Sequence, residues 1–391
     1  MHPEIRMNQA LAAIKAFRSG QLAAFLPGHF KNFPKMGSRD RKEVGNLVFD
    51  YFRVARLFPN QTKEMQVLLG RYLCTEVQDD FFVQFWSERL SGKTWPCDQK
   101  NRWEQLNIVA DWQAAFPVSD KISPLLDHNA LQFSLLRQPA LWIRVKKGKE
   151  AQFIKALEAA GIAYGWHPNL EQAFSVAAGT RLEALPIWQQ GHIEIQDVAS
   201  QRTLELMQPK ASERWLDACA GAGGKSLLLH DAEPAISLFV TDVRDAILKN
   251  LHERFKRAGI RSYSQAVVDH TVMGALAQQK SFPKQFDVIL ADVPCSGSGT
   301  WSATPEAASQ FNPTSLNEFA DKQYRIARQL AYALKGGGKL IYLTCSVYTT
   351  ENEDVVKKLA ELPELTLVEQ RYFQESANGG DVLFGAVFRK R

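Results

Sequence analysis

The chain has 391 residues, of which 45% are hydrophobic and 23% charged, with a formal net charge of +5 at pH 7. That length supports two or three domains with full cores, and the composition is that of a folded globular protein, which excludes a disordered or fibrous chain. No uninterrupted apolar stretch reaches membrane-spanning length and the N-terminus lacks a signal-peptide core, so a cytoplasmic protein with no membrane partner is expected.

Residues 1–125 read as helical. Apolar residues recur near the 3.6 period in Ala10-Leu-Ala-Ala-Ile-Lys-Ala-Phe17, in 44–55, in Gln66-Val-Leu-Leu-Gly-Arg-Tyr-Leu73 and in 107–112. Ser38 or Asp40 is placed to cap the helix that follows Gly37, and Trp95-Pro-Cys97 breaks the run as a loop over 94–98. The charge is concentrated here. Residues 1–58 carry ten Lys/Arg against four Asp/Glu, a balance of +6, and the remainder carries 37 against 38, or −1. A polyanion such as RNA would explain that excess, and so would a solvated basic surface.

From 126 to 195 the period changes. Strands are expected at 140–145, 173–177 and 192–195, and helices at 149–160, ending at Gly161, and at 181–188. This pattern is that of a small ferredoxin-like α/β module. From 196 to 391 strands and helices alternate, as a doubly wound, Rossmann-like parallel sheet requires. Strands are expected at 238–242, 265–269 and 382–388. Helices are expected at 244–258, ending at Gly259, and at 315–334. Gly336-Gly-Gly338 is expected to be the turn that launches the strand Lys339-Leu-Ile-Tyr-Leu-Thr344.

Trp215-Leu-Asp217-Ala-Cys219-Ala220-Gly221-Ala222-Gly223-Gly224-Lys225 reads as a strand feeding a glycine-rich turn and a helix, where the backbone can approach a ligand at the sheet's carboxyl edge. Asp242 stands twenty-one residues past Gly221, at the end of the next strand, where a carboxylate can accept both ribose hydroxyls of an adenosine-type cofactor. The dinucleotide Gly-x-Gly-x-x-Gly pattern is absent. Gly224-Lys225-Ser226 matches only the tail of a phosphate-binding loop, because Cys219 stands where that loop needs glycine. S-adenosylmethionine is therefore preferred over NAD and ATP, and the competing reading is a purely structural glycine turn.

The five cysteines, at 74, 97, 219, 295 and 345, form no Cys-x-x-Cys pair, which argues against disulfides and against a metal site. Cys74, Cys97 and Cys219 read as small buried hydrophobes. Cys295, in Asp292-Val-Pro294-Cys295-Ser, and Cys345, in Thr344-Cys345-Ser, each follow a buried parallel strand, so both thiols are expected at one sheet edge. Two thiols beside a cofactor loop suit covalent catalysis on a pyrimidine. A thiolate adding at carbon 6 makes carbon 5 nucleophilic, a methyl group is taken from a sulfonium, and the C5 proton leaves so that the thiol is eliminated. Asp292 is placed to hydrogen-bond the N3/N4 edge of the base.

At these motifs the chain resembles the Sun-type RNA cytosine-5 methyltransferases, most closely their bacterial branch acting on small-subunit ribosomal RNA. Asp292-Val-Pro-Cys295 resembles the family's Asp-Ala-Pro-Cys motif, and Leu343-Thr-Cys345-Ser-Val-Tyr-Thr-Thr-Glu351-Asn352-Glu353 its Thr-Cys-Ser…Glu-Asn motif. Gln196-Asp-Val-Ala-Ser200-Gln201 resembles its lead-in to the catalytic core. Met36-Gly-Ser-Arg39-Asp-Arg41 resembles part of its NusB-like RNA-binding domain. The resemblance implies Cys345 as nucleophile, Cys295 as the thiol that assists product release and Asp292 as a contact to both base and cofactor. It implies cofactor contacts at Asp217, Cys219, Ala220, Gly221, Ala222, Gly223, Gly224, Lys225, Asp242, Arg244 and Asp269. It also implies a monomer acting on ribosomal RNA, with transfer RNA or a non-catalytic assembly role as alternatives. Two departures stand out: Gly221 and Ala222 replace the family's Ala-Pro, and Trp301-Ser302-Ala303-Thr304-Pro305-Glu306 replaces an arginine-rich stretch.

Overall fold

The computed structural model describes residues 2–75, 102 and 108–391, so the expected loop at 94–98, with Cys97, lies outside the described residues. The chain divides into two compact units. One comprises Met1–Pro139 and Thr300–Pro313, and the other Ala140–Gly299 and Thr314–Arg391. The division after Pro139 comes later than the expected boundary at 125. It also assigns the segment 300–313 to the helical unit, which no local sequence signal indicated.

In the helical unit, helices Pro3–Ala16, Leu22–Phe30, Ser38–Val54 and Lys63–Cys74 bury one apolar face each, with Val44, Leu47, Val48, Val67, Leu68 and Leu73 among the core. Gly70 lets two of them approach, because a Cβ there would stand 2.3 Å from the carbonyl oxygen of Asp50. Neither Ser38 nor Asp40 caps the third helix. The N-cap is Gly37, Ser38 is already helical, and Asp40 pairs with Arg6 at 3.0 Å. The expected helix over 107–112 is also wrong for its described residues. Only Trp112–Ala115 is helical, started by the Asp111 side chain accepting from the Ala114 amide.

The returning segment 300–313 is architectural. Trp301 is buried and stacked on Phe116 at 5.4 Å, the buried Glu306 accepts from the Leu22 amide at 2.9 Å, and Arg53 donates to the Ser302 carbonyl at 2.6 Å. The residues that replace the arginine-rich stretch thus complete the helical unit's core.

The second unit begins with an antiparallel sheet of β1 (Leu141–Val145), β2 (Tyr164–His167), β3 (Leu170–Val176) and β4 (Ile193–Ile195), in the order β2-β3-β1-β4. With helix Glu150–Ala159 between β1 and β2, this is the split βαβ order of a ferredoxin-like module. The helix expected over 181–188 is reduced to Pro186–Gln189. A seven-stranded sheet follows, built from β5 (Arg214–Asp217), β6 (Ser237–Asp242), β7 (Ser264–Val267), β8 (Phe286–Asp292), β9 (Leu334–Thr344), β10 (Leu365–Gln374) and β11 (Val382–Lys390). Its order is β10-β11-β9-β8-β5-β6-β7. β5 to β9 pair in parallel, as the Rossmann-like reading requires, while β10 and β11 run antiparallel to their neighbours. Gly336-Gly-Gly338 lies inside β9 and is not the expected turn, with Gly337 at φ +74° kinking the strand. The strand order reverses beside β5, which opens a crevice at the carboxyl ends of β5 and β8.

Candidate active site

Asp217 closes β5, and the chain then turns through Gly221 at φ +52° and Gly223 at φ +83° into helix Gly224–Ala232. Glycine is required at 223 for space as well, since a Cβ would stand 2.9 Å from Leu251 and Phe255. The same loop answers the phosphate-loop likeness. Lys225 Nζ donates to Asp292 Oδ2 at 2.6 Å, and the Ser226 hydroxyl donates to Asp217 Oδ2 at 2.7 Å, so both side chains point into the edge of the sheet. Burial opposes charge on Lys225, yet the Asp292 carboxylate outweighs it and holds the ammonium above its ordinary range. Asp217 is 1% exposed and its Oδ1 has no partner. Burial, with Asp292 and Asp242 nearby, raises its carboxyl to about 7 against the help of Ser226.

Asp242 closes β6 and is fully occupied by its own surroundings. Gly221 N donates to Oδ2 at 3.0 Å, Arg244 N and Nε each donate to Oδ1 at 2.9 Å, and the Arg244 Nη2 donates to Oδ2 at 3.1 Å. Burial works against the charge, but these donors win and keep the carboxyl below its ordinary value. The Arg244 side chain is 64% exposed, so this ion pair stands at the surface.

Two of the expected cofactor residues have partners within the chain. Cys219 packs against the core, where burial pushes its thiol up. Asp269 is exposed, and its Oδ1 accepts the amide and hydroxyl of Thr271 at 2.9 and 2.7 Å, which caps its own loop. The neighbouring His270 was not legible from the sequence. It is buried and meets the Thr241 hydroxyl through Nε2 at 2.7 Å, and Thr241 in turn donates to the Ala218 carbonyl under the glycine loop. Burial drives the imidazole down to about 4.

The two cysteines do converge. Asp292 is level with Leu343 across β8 and β9, so Cys295 and Cys345 follow at one edge, and their Sγ atoms stand 3.3 Å apart. The Cys345 amide also reaches Cys295 Sγ at 3.4 Å. Sharing a hydrogen bond with Cys295, and then burial, holds the Cys345 thiol well above its ordinary value, while Lys225 pulls it down. Gly299 makes the approach of the two loops possible. Its amide donates to the Cys345 carbonyl at 2.8 Å, and a Cβ there would stand 2.1 Å from the Val382 carbonyl oxygen.

Behind the thiols lies a polar cluster that no motif had flagged as a unit. Glu351 is completely buried, and it accepts from Ser296 N at 2.8 Å, Ser296 Oγ at 2.5 Å, Gln323 Nε2 at 3.0 Å and the Ser346 hydroxyl. Asn352 donates to the Ser346 carbonyl at 2.9 Å and accepts from the Thr344 hydroxyl at 2.5 Å. Among the described residues there is no cluster of ligands that could hold a metal ion.

Residues 204–382 match the family model described as 16S rRNA methyltransferase RsmB/F. The chain is 31% identical over 233 residues to the ribosomal RNA small subunit methyltransferase B of Cronobacter sakazakii, which covers 59% of this chain and 53% of that protein. It is 29% identical over 234 residues to the protein of that name from Klebsiella pneumoniae subsp. pneumoniae, with the same coverage. The match spans about half the length of these curated relatives. Among solved structures, that of PH0851 superposes with a TM-score of 0.73 at 18% identity, over 100% of this chain and 99% of that one. NSun6 from Pyrococcus horikoshii with SFG gives 0.60 at 17% identity, over 71% and 96%. At such identities these two likenesses speak to the fold. Residues 204–382, which carry the match to the RsmB/F methyltransferase model, hold the glycine loop and both cysteine motifs, and it is over this region that the chain is similar to those methyltransferases.

Proposed function

We propose that the chain methylates carbon 5 of a cytosine in RNA, with 16S ribosomal RNA as the substrate and S-adenosylmethionine as the methyl donor. The observation that carries this reading is the pair of thiols 3.3 Å apart at the sheet edge, beside the Lys225–Asp292 ion pair and next to a glycine loop closed by Asp242. The cofactor supplies an electrophilic methyl group. Gly221, Gly223 and the first turn of helix Gly224–Ala232 give the backbone that would lie along it, and Asp242 would hold its ribose.

Cys345 adds through sulfur to carbon 6 of the pyrimidine, and carbon 5 becomes nucleophilic. Cys345 attacks as the thiolate, its proton passing to solvent, with Lys225 favouring the charge and the Cys295 sulfur standing alongside at 3.3 Å, where it also receives the Cys345 amide. Asp292, fixed by Lys225, would face the polar edge of the ring, where a carboxylate can accept from the exocyclic amine and steady the charge that develops. Once carbon 5 carries the methyl group, a base (water or a nearby group) would take the C5 proton, the C5–H electrons would form the C5–C6 double bond, and Cys345 would leave as the thiolate, a release that Cys295 would assist. The cytosine must be unpaired or flipped, because attack comes from the face of the ring.

The helical unit would carry RNA through its basic surface, in keeping with a NusB-like domain. Lys15, Arg18, Lys31, Lys35, Arg39 and Lys42 are exposed, whereas Arg53 is buried inside the unit. Bisulfite sequencing of ribosomal RNA from cells with and without the gene tests the proposal. Loss of one protected cytosine in the gene-less strain is expected, and an unchanged pattern overturns it. Transfer RNA sequenced in parallel shows whether the substrate class is wrong while the chemistry is right.

A further inference from the structure

We infer that Glu351 is a positioning residue that fastens the two cysteine loops to each other and so sets the separation of the two thiols. The reaction to which this matters is the one proposed above, but the geometry is independent of it. Ser296 follows Cys295 and Ser346 follows Cys345, and both serine hydroxyls donate to the same oxygen, Oε2 of Glu351. Its other oxygen takes the Ser296 amide at 2.8 Å and Gln323 Nε2 at 3.0 Å. Gln323 also donates to the Pro294 carbonyl at 3.0 Å, one residue before Cys295, and its own oxygen accepts from Tyr342 of β9 at 3.1 Å. The Tyr342 hydroxyl closes the ring on the Glu351 carbonyl, at 2.6 Å.

One carboxylate therefore bonds the residue after each cysteine, and one glutamine bonds the residue before Cys295. A lone buried acid needs such donors merely to be tolerated. Here the donors come from both loops that carry a thiol, and two of them meet on a single oxygen. That arrangement transmits position: neither loop can move without breaking its bond to an atom the other shares. Two groups acting in succession on one ring gain from being fixed relative to each other, and a displacement of about 1 Å can cost on the order of a hundredfold in rate. Glu351 touches neither sulfur, so it acts through the serines.

The test uses the full chain and variants Glu351→Ala and Glu351→Gln. Diamide takes two hydrogens from a pair of thiols, becoming a hydrazine as the disulfide forms. The rate at which Cys295 and Cys345 close, read as the loss of two thiols by mass spectrometry, reports their apposition without RNA or cofactor. Glu351→Ala should slow closure roughly tenfold or more and lower kcat on RNA by roughly ten- to hundredfold. KM for S-adenosylmethionine should stay unchanged. Glu351→Gln, which keeps one acceptor oxygen and the shape, should recover part of both rates. Closure at the wild-type rate in a folded Glu351→Ala variant overturns the inference. So does a fall in kcat no larger than the fall in folded fraction. If the alanine variant does not fold, Ser346→Ala removes one donor and leaves the other three, and wild-type closure there overturns it equally. Slowed closure in a protein whose wild type methylates no RNA would keep the positioning role and sink the proposed reaction instead.

Discussion

Asp217 carries a charge problem whose size can be worked from its surroundings. Its carboxyl is buried at the end of β5 with one oxygen unpartnered, and its pKa rises from 3.8 to about 7. Between those values the unfolded chain is ionised at this residue and the folded chain is protonated. The folded state thus binds the extra proton, and the residue's contribution to stability falls as pH rises from about 4 to about 7. At about 1.4 kcal/mol for each pH step of one, full ionisation at pH 8 costs about 4 kcal/mol, shared with Lys225, Asp292 and Asp242, which face the same group. Asp217→Asn keeps the shape and an acceptor for the Ser226 hydroxyl but has no proton to lose. The variant should melt several degrees above wild type at pH 8, at about 2–4 °C per kcal/mol, with the gap closing toward pH 4. Wild type alone would not show this, because His270, held down to about 4, raises stability over the range in which Asp217 lowers it. The difference between the two melting curves, followed by calorimetry from pH 4 to 8, cancels His270. Parallel curves, or an asparagine variant that is less stable at pH 8, would refute the burial argument.

Asp242→Ala should weaken S-adenosylmethionine binding by roughly ten- to hundredfold, since a hydrogen bond to a charged group contributes about 1.5–3 kcal/mol, and should leave RNA affinity in place. Calorimetric titration checks it, and unchanged cofactor affinity would reduce Asp242 to an anchor for Gly221 and Arg244. Replacing Lys31, Lys35, Arg39 and Lys42 together by glutamine should flatten the dependence of RNA affinity on salt, by about 0.7–0.9 in log–log slope for each phosphate that is no longer neutralised. Equal slopes in filter binding would make the basic excess a solvated face. Substitution is a cleaner probe than deleting 1–125, which would strip the buried partners from Trp301 and Glu306.

Much of the catalytic half was legible because its signals are local. A buried parallel strand is a continuous apolar run, and a glycine loop or a Pro-Cys step declares itself within a few residues. The strands missed were those without that signature. β2 is Tyr-Gly-Trp-His, and β10 alternates with charges such as Glu369 and Arg371 because one side of it is exposed. Three further features were illegible because they exist only after folding. The segment 300–313 reads as an ordinary loop and helix until Phe116 and Leu22 are beside it. Asp269 and Asp242 look alike as strand-end acids, yet one caps its own turn and the other gathers a loop and an arginine. Glu351 sat in plain view in a motif, but its four donors come from three stretches of chain.

The sharpest test of the proposed chemistry separates the two cysteines. Cys345→Ala removes the nucleophile, so neither methyl transfer nor a covalent RNA adduct should form. Cys295→Ala leaves attack and methylation possible but slows release, and a denaturant-resistant protein–RNA complex should accumulate. The asymmetry follows from the order of steps, because losing the first empties the intermediate and slowing the last fills it. The 3.3 Å separation sharpens the expectation. With Cys295 gone, Cys345 also loses the hydrogen-bonded neighbour that is the first cause of its raised pKa, so its thiolate should form at lower pH. Adduct accumulation in Cys295→Ala should therefore begin at a lower pH than wild-type turnover does. Each variant would be incubated with substrate RNA and cofactor from pH 6 to 9 and run on denaturing gels. An adduct from Cys345→Ala and none from Cys295→Ala would reverse the two roles. Wild-type activity in both variants, with no adduct from either, would sink covalent catalysis altogether.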